Sequence, residues 1–441
     1  MLLAMGPVLG RMGASVLLLL SGASLLCWTF ARVESVPTSM LAFVPSRIPK
    51  AFSMAAYGDS DSPWGVQSVL SGNASSLLRD NLRPDELYVT QWGMGLGMTN
   101  QFLGMLNLIY IGLLTTRVPV VPPFLANKHI AGDELLPFGE VFDLTHLRAL
   151  LRVPVIDWRD IKPSNETREA MHCWALHKAM PAAITASLGV NASYSELPKS
   201  AMGKKHHLLV ALADLLYPSH MVTQQRQSLP GAYVQNPPDK HIACFDYLYF
   251  ASSSGEHLDW DEGLSWPAWR MVGQHLRFAP KVMAMAREHL RVAMELPAFA
   301  EIPPFISVHM RRGDFGQWCK GVPENECFPA MPAYVRRVQE VKDDLASRGV
   351  HVEHVVVQSN ERDPGFWQDL KALGYSFAEY TTEEQEGWWA IVLDACIQSL
   401  ASGFVGTAHS TVSLISERRV QEWSGGPTRM VKWGKLGADD H

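Results

Sequence analysis

Phe305-Ile306-Ser307-Val308-His309-Met310-Arg311-Arg312-Gly313-Asp314-Phe315 is a short apolar run followed at once by a cluster of charge. Phe305–Val308 suits a strand buried on both faces. His309, two arginines and Asp314 then crowd its carboxyl end, where a purely structural loop has no need of them. An arginine presents a planar fork of donors that matches phosphate oxygens and stays charged at any working pH. Beside a sugar nucleotide, that charge would stabilise the diphosphate as the glycosidic bond breaks. The competing reading is a surface salt bridge between Arg312 and Asp314, which the position directly after a buried strand disfavours.

Working outward, Val352–Val357 and Gly403-Phe404-Val405-Gly406 read as further strands, with helical patterns over Asp363–Leu373 and Glu384–Leu400. Such alternation predicts a parallel sheet whose ligands bind at the carboxyl ends of its strands, where Arg311, Ser359 and Thr407 fall. The third strand runs on through Thr407-Ala408-His409-Ser410-Thr411-Val412-Ser413 into a helix. Hydroxyls beside the free amides of a helix start form a phosphate cradle, or else Ser410 or Thr411 simply caps the helix.

The first half reads similarly. Leu87–Thr90 is a strand, Phe102–Leu114 a buried helix and Arg117–Val121 extended, with more strands expected at Val153–Trp158 and Leu208–Leu212. A helix-rich stretch, Met271–Glu295, precedes Pro297, Pro303 and Pro304, where the domain boundary is placed. Between strand and helix lies the turn Gly93-Met94-Gly95-Leu96-Gly97-Met98-Thr99-Asn100-Gln101. Its glycines let backbone approach a ligand, yet Met98 stands where a dinucleotide fingerprint would place its third glycine.

Together these motifs resemble the GDP-fucose protein O-fucosyltransferase family. The carriers are His309-x-Arg311-Arg312-Gly313-Asp314-Phe315, the string from Phe404 to Ser413, the glycine turn ending in Asn100-Gln101, and Gln358-Ser359-Asn360 at a strand end. The resemblance, over about residues 88 to 420, implies an α/β protein of two Rossmann-like domains facing a cleft (GT-B-like), residues 85–296 on the acceptor side and 297–441 binding GDP-fucose. It implies inverting transfer of fucose to a hydroxyl of a protein or glycan, with no metal and no cofactor beyond the donor. Arg311 would be the catalytic residue on the diphosphate, with His309 beside it and Asp314 in the donor-binding set. Asp394 would meet the guanine, Ser410 and Thr411 the phosphates, and Asn100 the diphosphate or fucose across the cleft, beside Gly93, Gly95 and Gly97. The chain departs from the family pattern at Thr99, where a glycine is common, and at Met94, where some members carry a glutamate base. Asp314, another carboxylate or the leaving phosphate would then take the acceptor's proton. The alternatives are a transferase of another sugar nucleotide, such as GDP-mannose, and a catalytically silent lumenal lectin or scaffold.

Composition sets the frame. The chain has 441 residues, 47% hydrophobic and 19% charged with 14 tryptophans, enough for one large or two ordinary cores. A net charge of -6 gives no basic footprint for nucleic acid. Met12–Ala31 is an uncharged stretch of 20 residues, long enough to cross a bilayer. Residues 1–32 are therefore read as tail and signal anchor, and the Pro- and Ser-rich 33–84 as a stem. A cleaved signal peptide ending at Ser21-Gly22-Ala23 is the rival. Sequons at Asn73, Asn165 and Asn191 favour a lumenal body, hence a single-pass type II protein of the Golgi or endoplasmic reticulum. An oxidising lumen permits disulfides, with Cys319–Cys327 expected across a short loop and Cys173–Cys244 second.

Other signals are set aside. Asp259-Trp260-Asp261-Glu262 is read as an acidic surface loop rather than a metal site, Lys204-Lys205-His206-His207 as a solvated loop, Trp388-Trp389 as core packing, and Cys396 as a small buried apolar residue.

Overall fold

A computed structural model of the chain describes residues 62–93, 97–126, 135–177, 182–217, 239–260 and 266–439. The segment expected to be an anchor, the expected stem up to residue 61, and Met94 and Gly95 lie outside them. Among the described residues, no helix is long and apolar enough to cross a membrane.

The strands are β1 (Tyr88–Gln91), β2 (Val118–Val121), β3 (Ile156–Asp157), β4 (Glu169–Ala175), β5 (Val190–Glu196), β6 (His207–Leu208), β7 (Ile242–Phe245), β8 (Ala251–Ser252), β9 (Phe305–Met310), β10 (His354–Ser359), β11 (Gly403–Thr407) and β12 (Thr428–Val431). Six of them form one sheet in the order β3-β2-β1-β7-β4-β5, four form a second in the order β10-β9-β11-β12, and all of these pairings are parallel. β6 and β8 make a small separate pair.

Helix α1 (Met98–Thr115) follows β1 and is apolar nearly all round, because both of its sides are covered. Leu108 and Ile111 join a core with Val89 and Phe245, while Phe102, Met105 and Ile109 join one that reaches the second sheet. Two strand neighbours in the first sheet are also cross-linked, Cys173 of β4 to Cys244 of β7.

In the second sheet, α2 (Pro280–Ala293) precedes β9, and α3 (Met331–Ser347), α4 (Pro364–Ala372), α5 (Trp389–Leu400) and α6 (Thr411–Trp423) connect or follow the strands. Side-chain alternation along β9 decides which helix lies where. Ile306, Val308 and Met310 pack with Tyr334, Val338 and Val341 of α3 and Leu370 of α4, whereas Phe305 packs with Val392 and Leu393 of α5 and Ile415 and Val420 of α6. The start of α4 is locally encoded: the Asp363 side chain accepts from the Gly365 amide (3.1 Å), and Pro364 brings a helical φ to the first position.

Three expectations change. Leu208–Leu212, read as a strand, is mostly helix Leu209–Leu215, with Leu209 and Leu212 buried against the first sheet, because an apolar run this short does not by itself separate strand from helix. Part of the expected stem belongs to the folded body: Val69, Leu78 and Leu82 are buried in a core with Tyr88 and Ile156. Asp259 is buried rather than a surface residue, its carboxylate accepting from the Ser253 amide and hydroxyl, both at 2.7 Å.

Candidate active site

The second sheet has one topological switch point. From β9 the chain passes through α3 to β10 on one side, and later reaches β11 on the other, so the carboxyl ends of β9 and β11 mark the place where a sheet of this kind leaves a crevice for ligands. Arg311 and Thr407 meet there. The Arg311 amide donates to Thr407 Oγ1 (2.8 Å), and that hydroxyl donates to His309 O (3.0 Å) and bonds Tyr334 OH (2.9 Å). Thr407 is fully buried with its donor and acceptor capacity used, so it fixes the strand end that carries Arg311.

The Arg311 guanidinium pairs with Asp314 (2.7 Å) and lies 5.1 Å from the Phe315 ring centre. The salt bridge considered between Arg312 and Asp314 is therefore made by the neighbouring arginine. Arg312 turns instead to Glu361 (2.7 Å) and lies over Phe328 and Phe366. Gly313 between them has φ +57, and a Cβ there would come within 3.0 Å of Asn360 Nδ2, so this turn requires glycine. Asn360 closes the turn by accepting from the Arg312 amide (2.8 Å) and donating to the Arg312 carbonyl (3.0 Å), and Ser359 Oγ donates to Met310 O (2.7 Å).

His309 sits beneath this layer. It is buried, its Nδ1 shares a hydrogen bond with Ser413 Oγ (2.7 Å), and burial with nearby Arg311 pushes its pKa down to about 3. The ring is neutral at working pH, so it orients rather than carries charge. Ser413 Oγ also accepts from the Thr407 amide (3.0 Å), which joins β9, β11 and α6 at one atom. Ser410 caps α6, its side chain accepting from the Ser413 amide. The first-turn amides at Thr411 and Val412 have no intrahelical acceptor and give the crevice positive potential.

Asp394 lies on α5. Tyr380 OH donates to its Oδ1 (2.5 Å), and burial pushes its pKa up to about 7. Asn100 stands in the first turn of α1, its Oδ1 buried without a partner among the described residues. The helix starts of α1 and α6 adjoin, since Met98, Thr99 and Val412 line one cavity. Gln101 is a structural clamp: its amide donates to Leu125 O (2.9 Å) and accepts from Leu125 N (2.8 Å). Gly93 lies against it, and Gly97 caps α1.

Cys319 and Cys327 are bonded, closing the loop beyond Asp314. The side chains of the sequon residues Asn73, Asn165 and Asn191 are exposed. Trp388 is buried against Phe124, and Cys396 is buried and unbonded. Among the described residues, no group of His, Cys, Asp and Glu is arranged to hold a metal ion. Tyr334, Glu361 and Tyr380 were not singled out from sequence; each acts through a tertiary contact, for which no local pattern exists.

A parallel sheet with an arginine and an open helix start at its switch point is arranged as nucleotide-binding α/β proteins arrange theirs. A family model, GDP-fucose protein O-fucosyltransferase, matches residues 88–421, and the chain belongs to that family. It is thus a fucosyltransferase with GDP-fucose as donor. No curated protein matches the chain by sequence search. Crystal structures of POFUT1 in complex with GDP-fucose and with GDP share the fold, each at 16% identity over 80% of this chain and 99% of theirs, with TM-scores of 0.50 and 0.51. The fucosyltransferase NodZ from Bradyrhizobium aligns at 10% identity over 76% of this chain and 93% of its own, with a TM-score of 0.39, too loose to bear on the fold.

Proposed function

We propose that the chain transfers fucose from GDP-fucose to a hydroxyl of a protein or glycan, with inversion and without a metal, in the crevice between β9 and β11. One observation carries this reading: Arg311 and the open start of α6 converge on the switch point of a parallel sheet, tied through Thr407. Arg311 contacts the diphosphate and stabilises the charge that grows on it as the sugar leaves. Ser410, Thr411 and the first-turn amides of α6 hold the phosphates. Asp394 accepts from the guanine, and Asn100 faces the diphosphate or fucose from α1. Asp314 holds the Arg311 fork in place, and its use as a base would break that pair. The POFUT1 complexes, in which a protein of this fold holds GDP-fucose or GDP, support the donor assignment.

We further propose a type II membrane protein with a lumenal body, a reading supported by two disulfides and three exposed sequon asparagines.

The test is release of GDP by the purified full-length chain supplied with GDP-fucose or GDP-mannose in excess chelator, with a pooled mixture of secretory glycoproteins providing acceptor hydroxyls and a parallel reaction in which water is the sole acceptor. Turnover of GDP-fucose that survives the chelator and exceeds that of GDP-mannose supports the reading. Equal turnover of both shifts it to a less selective transferase, and donor binding without turnover to a silent lectin or scaffold.

A further inference from the structure

Arg419 places a full positive charge in the contact between α1 and α6 with no acid beside it. The residue is 3% exposed, it makes no hydrogen bond or ion pair among the described residues, and its Nε is buried without an acceptor. Aromatic rings surround it, with the guanidinium carbon 5.0 Å from the ring centre of Phe102, 5.5 Å from Phe142, 4.6 Å from Phe278 and 5.5 Å from Trp423. Ring faces attract the cation but offer no lone pairs to its in-plane N–H groups. The charged or titratable groups that act on it are a second guanidinium, Arg277, itself 4.2 Å from the Trp423 ring centre, and the Cys396 thiol. Burial pulls the Arg419 pKa down to about 9, which leaves it charged at neutral pH.

A small cavity adjoins it, of about 20 Å³, lined by Thr99, Phe102, Phe142, Val412, Ser416 and Arg419 among others. That volume holds one or two water-sized species. No carboxylate lines it. Positive potential enters from two further directions: Gly97 gives α1 no side-chain cap, leaving first-turn amides at Met98 and Thr99 free of an intrahelical acceptor, and Val412 lies in the first turn of α6. The Ser416 hydroxyl is already committed to Gln398 Oε1 (2.6 Å). Arg419 lies eight residues beyond Thr411, about 12 Å along the helix at the α-helical rise. It is therefore not a second contact to a phosphate held at the helix start.

We propose that this cavity binds a monoatomic anion of the halide class, held by the Arg419 guanidinium and the Thr99 turn of α1. A halide has the right size, demands no fixed hydrogen-bond direction, and neutralises a buried charge that the protein leaves unpaired. The two groups that hold the ion, Arg419 and the Thr99 turn, are not placed on GDP-fucose; the cavity adjoins the donor site only through Val412, in the first turn of α6.

The experiment is thermal melting of the full-length chain in sodium chloride, bromide or gluconate at constant ionic strength, with crystals grown in bromide examined for anomalous scattering. The expected result is a saturable rise of about 1–3 °C with chloride and bromide but not with gluconate, which is too large to enter. The rise should vanish in Arg419→Met, and a bromide peak should lie in the cavity. If Arg419→Met does not fold, Thr99→Val should weaken the halide response and the bromide peak decides. Equal melting in chloride and gluconate with no bromide peak means that the cavity holds only water and overturns the proposal. A halide response that survives in Arg419→Met, or that comes without the peak, places the ion elsewhere and overturns it too.

Discussion

Arg311 is constrained at both ends, its amide by Thr407 and its guanidinium by Asp314 and the Phe315 ring. A lysine keeps the charge but loses the fork, so Arg311→Lys should lower kcat for GDP-fucose by about 10²–10³ with the fold intact. Steady-state kinetics beside a circular dichroism spectrum checks this. Asp394 titrates in the opposite sense to a typical paired carboxylate. Burial raises its pKa from 3.8 to about 7, so the folded chain holds this proton more tightly than the unfolded one, and its contribution to stability falls as pH rises through that interval. Accepting guanine N–H groups needs the carboxylate. GDP affinity should therefore be level above about pH 8 and fall by about tenfold per pH unit well below 7. Calorimetry across pH should show this for the parent and a flatter profile for Asp394→Asn. The residues that carry charge at the strand end were legible because the main-chain order puts them there. Tyr380 and Arg419 were not, because what makes them unusual is a partner, or the lack of one, far away in sequence.

Among the elements, α6 does two things at once. Its first turn opens into the crevice, and its later turns present Arg419 and Trp423 to aromatic rings of the first half. Ser413 binds the first of these roles to the sheet, accepting from the Thr407 amide and sharing a hydrogen bond with His309. Ser413→Ala leaves a buried amide unsatisfied, which should cost about 1–3 kcal/mol of stability and weaken GDP binding, while Ser413→Thr retains more of both. Denaturant titration and GDP calorimetry separate the two effects. Strands β9, β10 and β11 were readable because strands buried on both faces appear as continuous apolar runs. Leu208–Leu212 failed on the same rule, since a buried helix of that length carries the same composition. Residues 66–84 lacked a period to read: Val69, Leu78 and Leu82 are buried one at a time from irregular 3₁₀ turns.

At the scale of the molecule, one continuous core runs from Phe102, Phe124 and Phe142 to Phe305, Trp388 and Phe404, so helices of both sheets share buried surface around the crevice. That sharing could not be read from periodicity, which reports that a face is buried but not against what. The order of strands could be inferred only as far as parallel alternation allows. If the body is lumenal, endoglycosidase treatment of the chain from secretory-competent cells should shift it to a faster band, and replacing Asn73, Asn165 and Asn191 by Gln should abolish the shift. An unshifted wild-type band would count against that placement. The central claim is that the switch point between β9 and β11 is a GDP-fucose site organised by Arg311. Its most direct test is calorimetric titration of the full-length chain with GDP-fucose, GDP, GDP-mannose and UDP in excess chelator, beside Arg311→Ala. The account predicts binding of GDP and GDP-fucose, weaker binding of GDP-mannose and UDP, and loss of binding in the variant. Failure of every GDP ligand to bind, or binding that survives the loss of Arg311, would contradict it.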